Sequence, residues 1–336
     1  MLNSVPSSRV PVIDVAALVA RAPGRERAAR EIDAACRDCG FFYIRGHGVD
    51  EKLQDRLARL SERFFALPEP EKMAIPMSRG GRAWRGYFPL GQELTSGKPD
   101  IKEGIYFGQE LAADDPRVTS GLPLHGPNLF PPQIPELRET VLSYLAAMTR
   151  LGHALMEGLS LGLGLAPSYF ADHYTADPLI LFRIFNYPPP KAVRAPDSAW
   201  GVGEHTDYGV LTILKQDESG GLEVKAGGHW LPAPPIAGTF VCNIGDMLER
   251  MTRGLYRSTP HRVRNPAATA RLSFPFFFDP GFQVAVHPLP IAAAPGMARS
   301  RDRWDHADPH AFEGTYGEYL LGKVSKVFPD LGRRVL

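Results

Sequence analysis

The sequence predicts an α+β protein in which helices come first and an all-β half follows, folded as a sandwich or barrel. Three observations predict it. Apolar residues recur at helical spacing in three long segments before residue 178. From Leu179 onward, short β-rich runs alternate with turns. The 33 glycines and 32 prolines are spread along the chain without a period, which marks many turns and excludes a repeat or a low-complexity tract. With 336 residues, 44% of them hydrophobic, the chain can bury the core of one large domain.

In order, Val10–Asp14 reads as an entering strand. Residues 25–38 form a helix with Ala29, Ile32 and Cys36 on one side, and Gly40 stops it. Residues 41–45 read as a strand, closed by Gly46-His47-Gly48. A second helix runs from Asp50 to Leu67 with Leu53, Leu57, Leu60 and Phe64 on its apolar face, and Pro68 ends it. Residues 78–132 are irregular and rich in Gly, Pro and charge. Their aromatics (Trp84, Tyr87, Phe88, Tyr106, Phe107) argue against disorder, so the segment reads as packed loop with a short strand, a candidate lid. Residues 135–163 carry the longest helical stripe, from Leu142 to Leu159, suited to buttress a sheet. Strands follow at 180–187, 210–216, 222–224, 230–231, 239–243, 261–264 and 271–278, and a helix at 311–327.

Composition narrows the function. The 38 basic and 37 acidic residues leave a net charge of +1, which argues against an electrostatic nucleic-acid binder. No apolar run is long enough to span a bilayer, and residues 1–6 lack a signal-peptide pattern, so the expected location is the cytoplasm. Three cysteines, Cys36, Cys39 and Cys242, do not make a disulfide framework. Cys36 and Cys39 read as small buried residues on one helix face, because no second C-x-x-C accompanies them.

His205-Thr206-Asp207 is the central signal. In a strand, residues i and i+2 face the same way, so an imidazole and a carboxylate would meet at one point. Alone, H-x-D is common. His261, 56 residues on, supplies a second imidazole at the start of a strand able to return beside the first. Two histidines and a carboxylate with open positions suit iron(II) and O2 chemistry, whereas a closed zinc cage leaves no room for a cosubstrate. Ten residues later, Arg271 and Ser273 share a strand face inside an apolar run. A buried, unpaired guanidinium is costly, and a bound carboxylate removes that cost.

Together H-T-D, H-R-V (261–263) and R-L-S (271–273) resemble the isopenicillin N synthase-like family of 2-oxoglutarate/Fe(II)-dependent dioxygenases. Residues 12–14, 39–48, 186–188, 243–246 and 258–263 resemble further family segments in the same order, so the likeness covers nearly the whole chain. It implies one oxygenase domain, residues 1–336: a mainly helical part (1–178), a distorted double-stranded β-helix or jelly-roll core (179–280), and a C-terminal loop and helix (281–336). It implies Fe(II) on His205, Asp207 and His261, and 2-oxoglutarate gripped by Arg271 and Ser273 with help from Tyr187. It implies O2-dependent oxidation of a C–H bond in a small-molecule substrate, by hydroxylation, desaturation or cyclisation, with release of succinate and CO2. Relatives that use iron and O2 without 2-oxoglutarate are an alternative. So is an ethylene-forming activity, because Gly97-Lys98-Pro99-Asp100 and His125-Gly126-Pro127 are similar to stretches of bacterial members. A non-enzymatic jelly roll would need a broken triad, and a zinc hydrolase a general base that no motif supplies.

Phe277 shares the Arg271 face and is a candidate substrate contact, as are Arg85, Tyr87, Lys98 and Tyr106 in the long loop. Surface solvation competes for Arg85 and Lys98. His47 reads as a turn residue, His125 as a loop anchor, His229 as part of a hairpin turn, and Asp246 as a helix cap. His306 carries no pattern.

Overall fold

The first helices form where apolar side chains recur every three to four residues. In this computed structural model, which describes residues 9–95, 97–192, 200–292, 308–329 and 332–333, strand β1 (Val12–Asp14) leads into α1 (Ala16–Val19) and α2 (Arg25–Asp38). Gly40 at φ +68° turns α2 into β2 (Phe41–Arg45). A Cβ at Gly40 would meet the Arg257 carbonyl oxygen at 2.0 Å, so both conformation and space demand glycine. Then come α3 (Glu51–Phe65), capped by the Asp50 side chain, and α4 (Glu69–Lys72). Strands β3 (Gly86–Phe88) and β4 (Glu103–Gly108) precede α5 (Pro116–Thr119), the long α6 (Glu136–Gly162) and α7 (Tyr169–His173).

The β half comprises β5 (Leu179–Tyr187), β6 (Val202–His205), β7 (Leu211–Gln216), β8 (Leu222–Ala226), β9 (His229–Pro232) and β10 (Phe240–Ile244). After α8 (Asp246–Met251) follow β11 (His261–Val263), β12 (Arg271–Asp279) and α9 (Tyr316–Val327). Eight strands make one sheet in the order β1-β2-β10-β7-β12-β5-β4-β3, and four make the other in the order β6-β11-β8-β9. All pairs are antiparallel except β1 with β2. The two sheets are the walls of a double-stranded β-helix, and residues of both line one cavity. Helix α6 packs on α2 and α3 and lies against β12. No helix among the described residues is long and apolar enough to cross a membrane.

The structure departs from the sequence reading in five places. Residues 78–132 hold two strands of the large sheet, so β3 and β4 are wall rather than lid. Their charges obscured the strand pattern because they pair in the interior. Strand β6 ends at His205, so Asp207 lies beyond it and not on a shared strand face. Gly245, not Asp246, occupies the cap position of α8. The buried Asp246 carboxylate instead accepts from the Ser258 and Tyr319 hydroxyls. Helix α9 starts at Tyr316, where Thr315 and Glu318 form a capping box. His229 opens β9 instead of sitting in the turn before it. Cys36, Cys39 and Cys242 are all buried and free. His306 and residues 1–6 lie outside the described residues.

Candidate metal and cosubstrate site

Strands β6 and β11 pair so that His205 and His261 stand opposite each other. Val263 pairs with Val202, so two steps on β11 match three on β6. Such a bulge re-aims side chains. The imidazole centroids are 4.2 Å apart. Asp207 Oδ1 lies 3.9 Å from His205 Nε2 and 3.8 Å from His261 Nε2. One donor atom from each of these three residues falls within 4.8 Å of the others, a separation one ion can bridge.

Each donor is aimed by a second contact. His205 Nδ1 lies 2.8 Å from the Gly203 carbonyl oxygen, and His261 Nδ1 lies 3.2 Å from that of Thr259. Those carbonyls place the N–H on Nδ1 and leave the Nε2 lone pairs facing the centre. Asp207 Oδ2 accepts from Thr212 Oγ1 at 2.5 Å and Asn243 Nδ2 at 2.7 Å, which leaves Oδ1 free for the centre. Thr212 and Asn243 pair directly across β7 and β10, so the sheet does what the end of β6 cannot and fixes the carboxylate. Burial, reinforced by the neighbouring His261, pushes His205 down to about 3, so its ring is neutral and fit to ligate. Burial raises Asp207, but the two imidazoles and its two hydrogen bonds outweigh that and hold it ionised.

Further into the cavity lies Arg271, 0% exposed. Its Nε donates to the Gly220 carbonyl, and its guanidinium stacks 4.7 Å over the Tyr187 ring. Its Nη1 has no hydrogen-bond partner, and no carboxylate pairs with it among the described residues. Ser273 Oγ donates to Tyr187 Oη at 3.3 Å, which puts two hydroxyls beside that cation. A buried guanidinium lacking an anion is a large penalty unless a carboxylate docks there. The donor set and this cation without an anion fit a metal and a carboxylate-bearing cosubstrate in one cavity.

The same cavity is lined by Arg183 on β5 and by Glu93, Thr95 and Lys102 from the segment before β4, none of which the sequence singled out. Lys102, 1% exposed, sits 2.9 Å from Glu93 Oε2 and also pairs with Asp100. Burial lowers Lys102, but the two carboxylates more than restore its charge. Arg183 lies between the Tyr106 and Phe277 rings, at 4.3 and 4.9 Å, and its Nε has no hydrogen-bond partner. The one available signal was a charged residue at period 2 inside apolar β5. Tyr316, Leu320, Val324 and Phe328, in or just after α9, close the remaining side.

Of the substrate contacts that the sequence suggested, Phe277 lines the cavity and Arg85, Tyr87, Lys98 and Tyr106 do not. Tyr87 and Tyr106 are held one layer behind it by hydrogen bonds to Glu103 and Glu93. Lys98 is exposed. Arg85 is 1% exposed and ties the Ala83 and Leu124 carbonyls together. Arg85→Ala should therefore cost about 3 kcal/mol of stability and leave the KM for a cosubstrate unchanged, as urea melts and initial rates would record. His47 and His125 are anchors within their loops.

Comparison with known proteins agrees with this geometry. Residues 10–133 match the model of the non-haem dioxygenase in morphine synthesis N-terminal family, and residues 179–280 match that of the 2OG-Fe(II) oxygenase superfamily. The chain is 51% identical to a probable iron/ascorbate oxidoreductase of Dictyostelium discoideum, over 92% of this chain and 91% of that one. It is 36% identical to homoarginine-6-hydroxylase 2-ODD-C23 of Glycine max, over 96% and 98%. Its fold superposes on the crystal structure of a full-length Neurospora crassa protein in complex with alpha-KG with a TM-score of 0.76, at 25% identity over 94% and 96% of the two chains. The chain belongs to the 2OG-Fe(II) oxygenase superfamily and is a 2-oxoglutarate- and iron(II)-dependent dioxygenase.

Proposed function

We propose that this dioxygenase oxidises a C–H bond of a small amino acid bearing a charged side chain. The observation that carries this reading is the buried charge on the cavity wall. Glu93, Lys102 and Arg183 face the same space as the metal cluster and are not needed to form it. These charges pair with one another, Lys102 with Glu93 at 2.9 Å and Arg183 with Glu93 at 3.5 Å, but Arg183 Nε keeps no hydrogen-bond partner. A substrate that brings its own charged groups can satisfy that donor and join the pairs, which a hydrocarbon cannot. The soybean relative, named for hydroxylating homoarginine, fits that chemistry.

Within this reading His205, Asp207 and His261 hold iron(II). Arg271 and Ser273 take the distal carboxylate of 2-oxoglutarate, and the Tyr187 hydroxyl orients it. When bound, iron(II), 2-oxoglutarate and O2 together supply the oxidising equivalents, and 2-oxoglutarate leaves as succinate and CO2. The residues of the chain position and exclude water. Asn243 and Thr212 hold the Asp207 carboxylate to one orientation. The α9 side chains and Phe277 shield the reacting centre, and the charged wall sets which C–H bond faces it. The whole chain acts as one oxygenase unit. With its three cysteines free and buried, it suits the reducing cytoplasm.

The test is succinate formation with arginine, homoarginine and lysine, against norleucine and a simple hydrophobic acid. The charged amino acids should stimulate turnover at least about tenfold over the substrate-free rate, the equivalent of one well-placed ionic contact. Stimulation by the hydrophobic compounds alone would overturn the proposal.

A further inference from the structure

The solvent-facing side of the small sheet carries a stack with no role in the proposed reaction. Arg262 Cζ sits 4.0 Å from the centre of the Trp200 ring and 3.9 Å from that of Trp230. These are the two shortest cation–ring approaches among the described residues. Arg262 Nε also donates to Glu223 Oε2 at 2.7 Å, its cross-strand partner on β8. Arg264 lies 5.2 Å from Trp200 on one side, and Lys225 lies 5.6 Å from Trp230 on the other. Lys225 is tied in turn to Glu204 on β6 at 2.8 Å. Cations and aromatic rings thus alternate from Arg264 and Trp200, just outside β11 and β6, through Arg262 on β11 to Trp230 on β9 and Lys225 on β8.

The stack lies directly behind a metal-ligand residue. Side chains alternate along a strand, so β11 turns His261 into the cavity and Arg262 outward. That strand is three residues long, is preceded by Pro260, and meets β6 through a bulge. Backbone pairing with β8 is regular along the whole strand, so the irregular side of β11 is the one facing β6, which the Arg262–Trp200 contact spans. On the inner side His261 has an edge contact with Phe41 at 5.2 Å and a 3.2 Å approach to a carbonyl, longer than the equivalent 2.8 Å at His205. The carbonyl contact that aims His261 is thus the longer of the two, while the Phe41 and His205 rings pack against it on the inner side. Trp200 extends the brace, because its carbonyl accepts from Ile101 N at 3.0 Å, between the buried Asp100 and Lys102.

We propose that Arg262, clamped between Trp200 and Trp230, is a positioning residue for His261. The clamp fixes the tilt of β11 and so keeps His261 Nε2 aimed at the point it shares with His205 and Asp207. The inference rests on His261 being a metal ligand.

The test uses full-length apoprotein titrated with Mn(II), with free ion read by electron paramagnetic resonance and the apoprotein's melting temperature recorded alongside. Arg262→Ala should weaken Mn(II) binding about tenfold, the scale of contacts that orient a ligand from behind. Arg262→Lys keeps a cation between the rings and should return affinity to within about threefold of wild type. An Arg262→Ala protein that melts lower but binds Mn(II) as wild type does would overturn the proposal. If Arg262→Ala does not fold, Trp230→Phe and Trp230→Leu carry the same test. Phe should stay within about twofold of wild type and Leu should lose at least about threefold, whereas equal affinities would overturn the proposal. Wild-type protein that takes up no Mn(II) would sink the triad, and this inference with it. Wild-type uptake with unchanged variants would sink this inference alone.

Discussion

Asp207→Ala is expected to abolish 2-oxoglutarate turnover, to the rate of metal-free protein. Asp207 is the one anionic donor of the cluster, with Oδ1 3.8–3.9 Å from both imidazoles. Its removal leaves two imidazoles around a buried void and strands the Thr212 and Asn243 donors that now hold it. Two imidazoles without a carboxylate do not compensate a divalent charge in so buried a site. The loss should exceed that of Thr212→Val, which keeps all three donors and frees only the carboxylate's orientation. For that variant a fall of about 10–100-fold in metal affinity is expected. Succinate release under saturating iron(II) and 2-oxoglutarate measures the first, and its dependence on iron(II) concentration measures the second. An Asp207→Ala enzyme retaining about a tenth of wild-type turnover would be incompatible with a three-donor site, since losing a direct ligand must cost more than losing its support.

Arg271→Met should raise the KM for 2-oxoglutarate about 100-fold, about 2.7 kcal/mol, the scale of losing one partner of a buried charged pair. The apoprotein should not become less stable. Wild-type Arg271 already lacks an anion, so a residue of similar length and no charge removes a desolvation penalty along with its few hydrogen bonds. Affinity and stability should thus move independently, or in opposite directions. Thermal melts of the apoprotein and initial rates against 2-oxoglutarate concentration separate the two. A variant with an unchanged KM would show that the cosubstrate carboxylate lies elsewhere.

Much of this was legible in the chain itself. Strands with apolar faces and punctuating Gly or Pro, such as β5 and β12, follow from local pattern because both of their faces are buried. The triad was legible because H-T-D, H-R-V and R-L-S occur together and in order, although a shared strand face does not account for Asp207. Its carboxylate is fixed by Thr212 and Asn243, five and 36 residues away, and no local rule reports a contact of that kind. The charged wall was illegible for a related reason. Glu93, Asp100 and Lys102 look like a solvated loop in the sequence, and only pairing with one another in the interior makes them part of the site. Arg85 misled in the same direction, since two backbone carbonyls bury a residue whose type normally signals the surface.

The central claim is that His205, Asp207 and His261 share one metal that also receives 2-oxoglutarate. Anaerobic titration of the apoprotein with Fe(II), followed by 2-oxoglutarate, tests it most directly through the visible metal-to-ligand charge-transfer band. The band should grow to saturation at one iron per chain in the wild type and be absent from Asp207→Ala. No band in the wild type, or an undiminished one in Asp207→Ala, would contradict it.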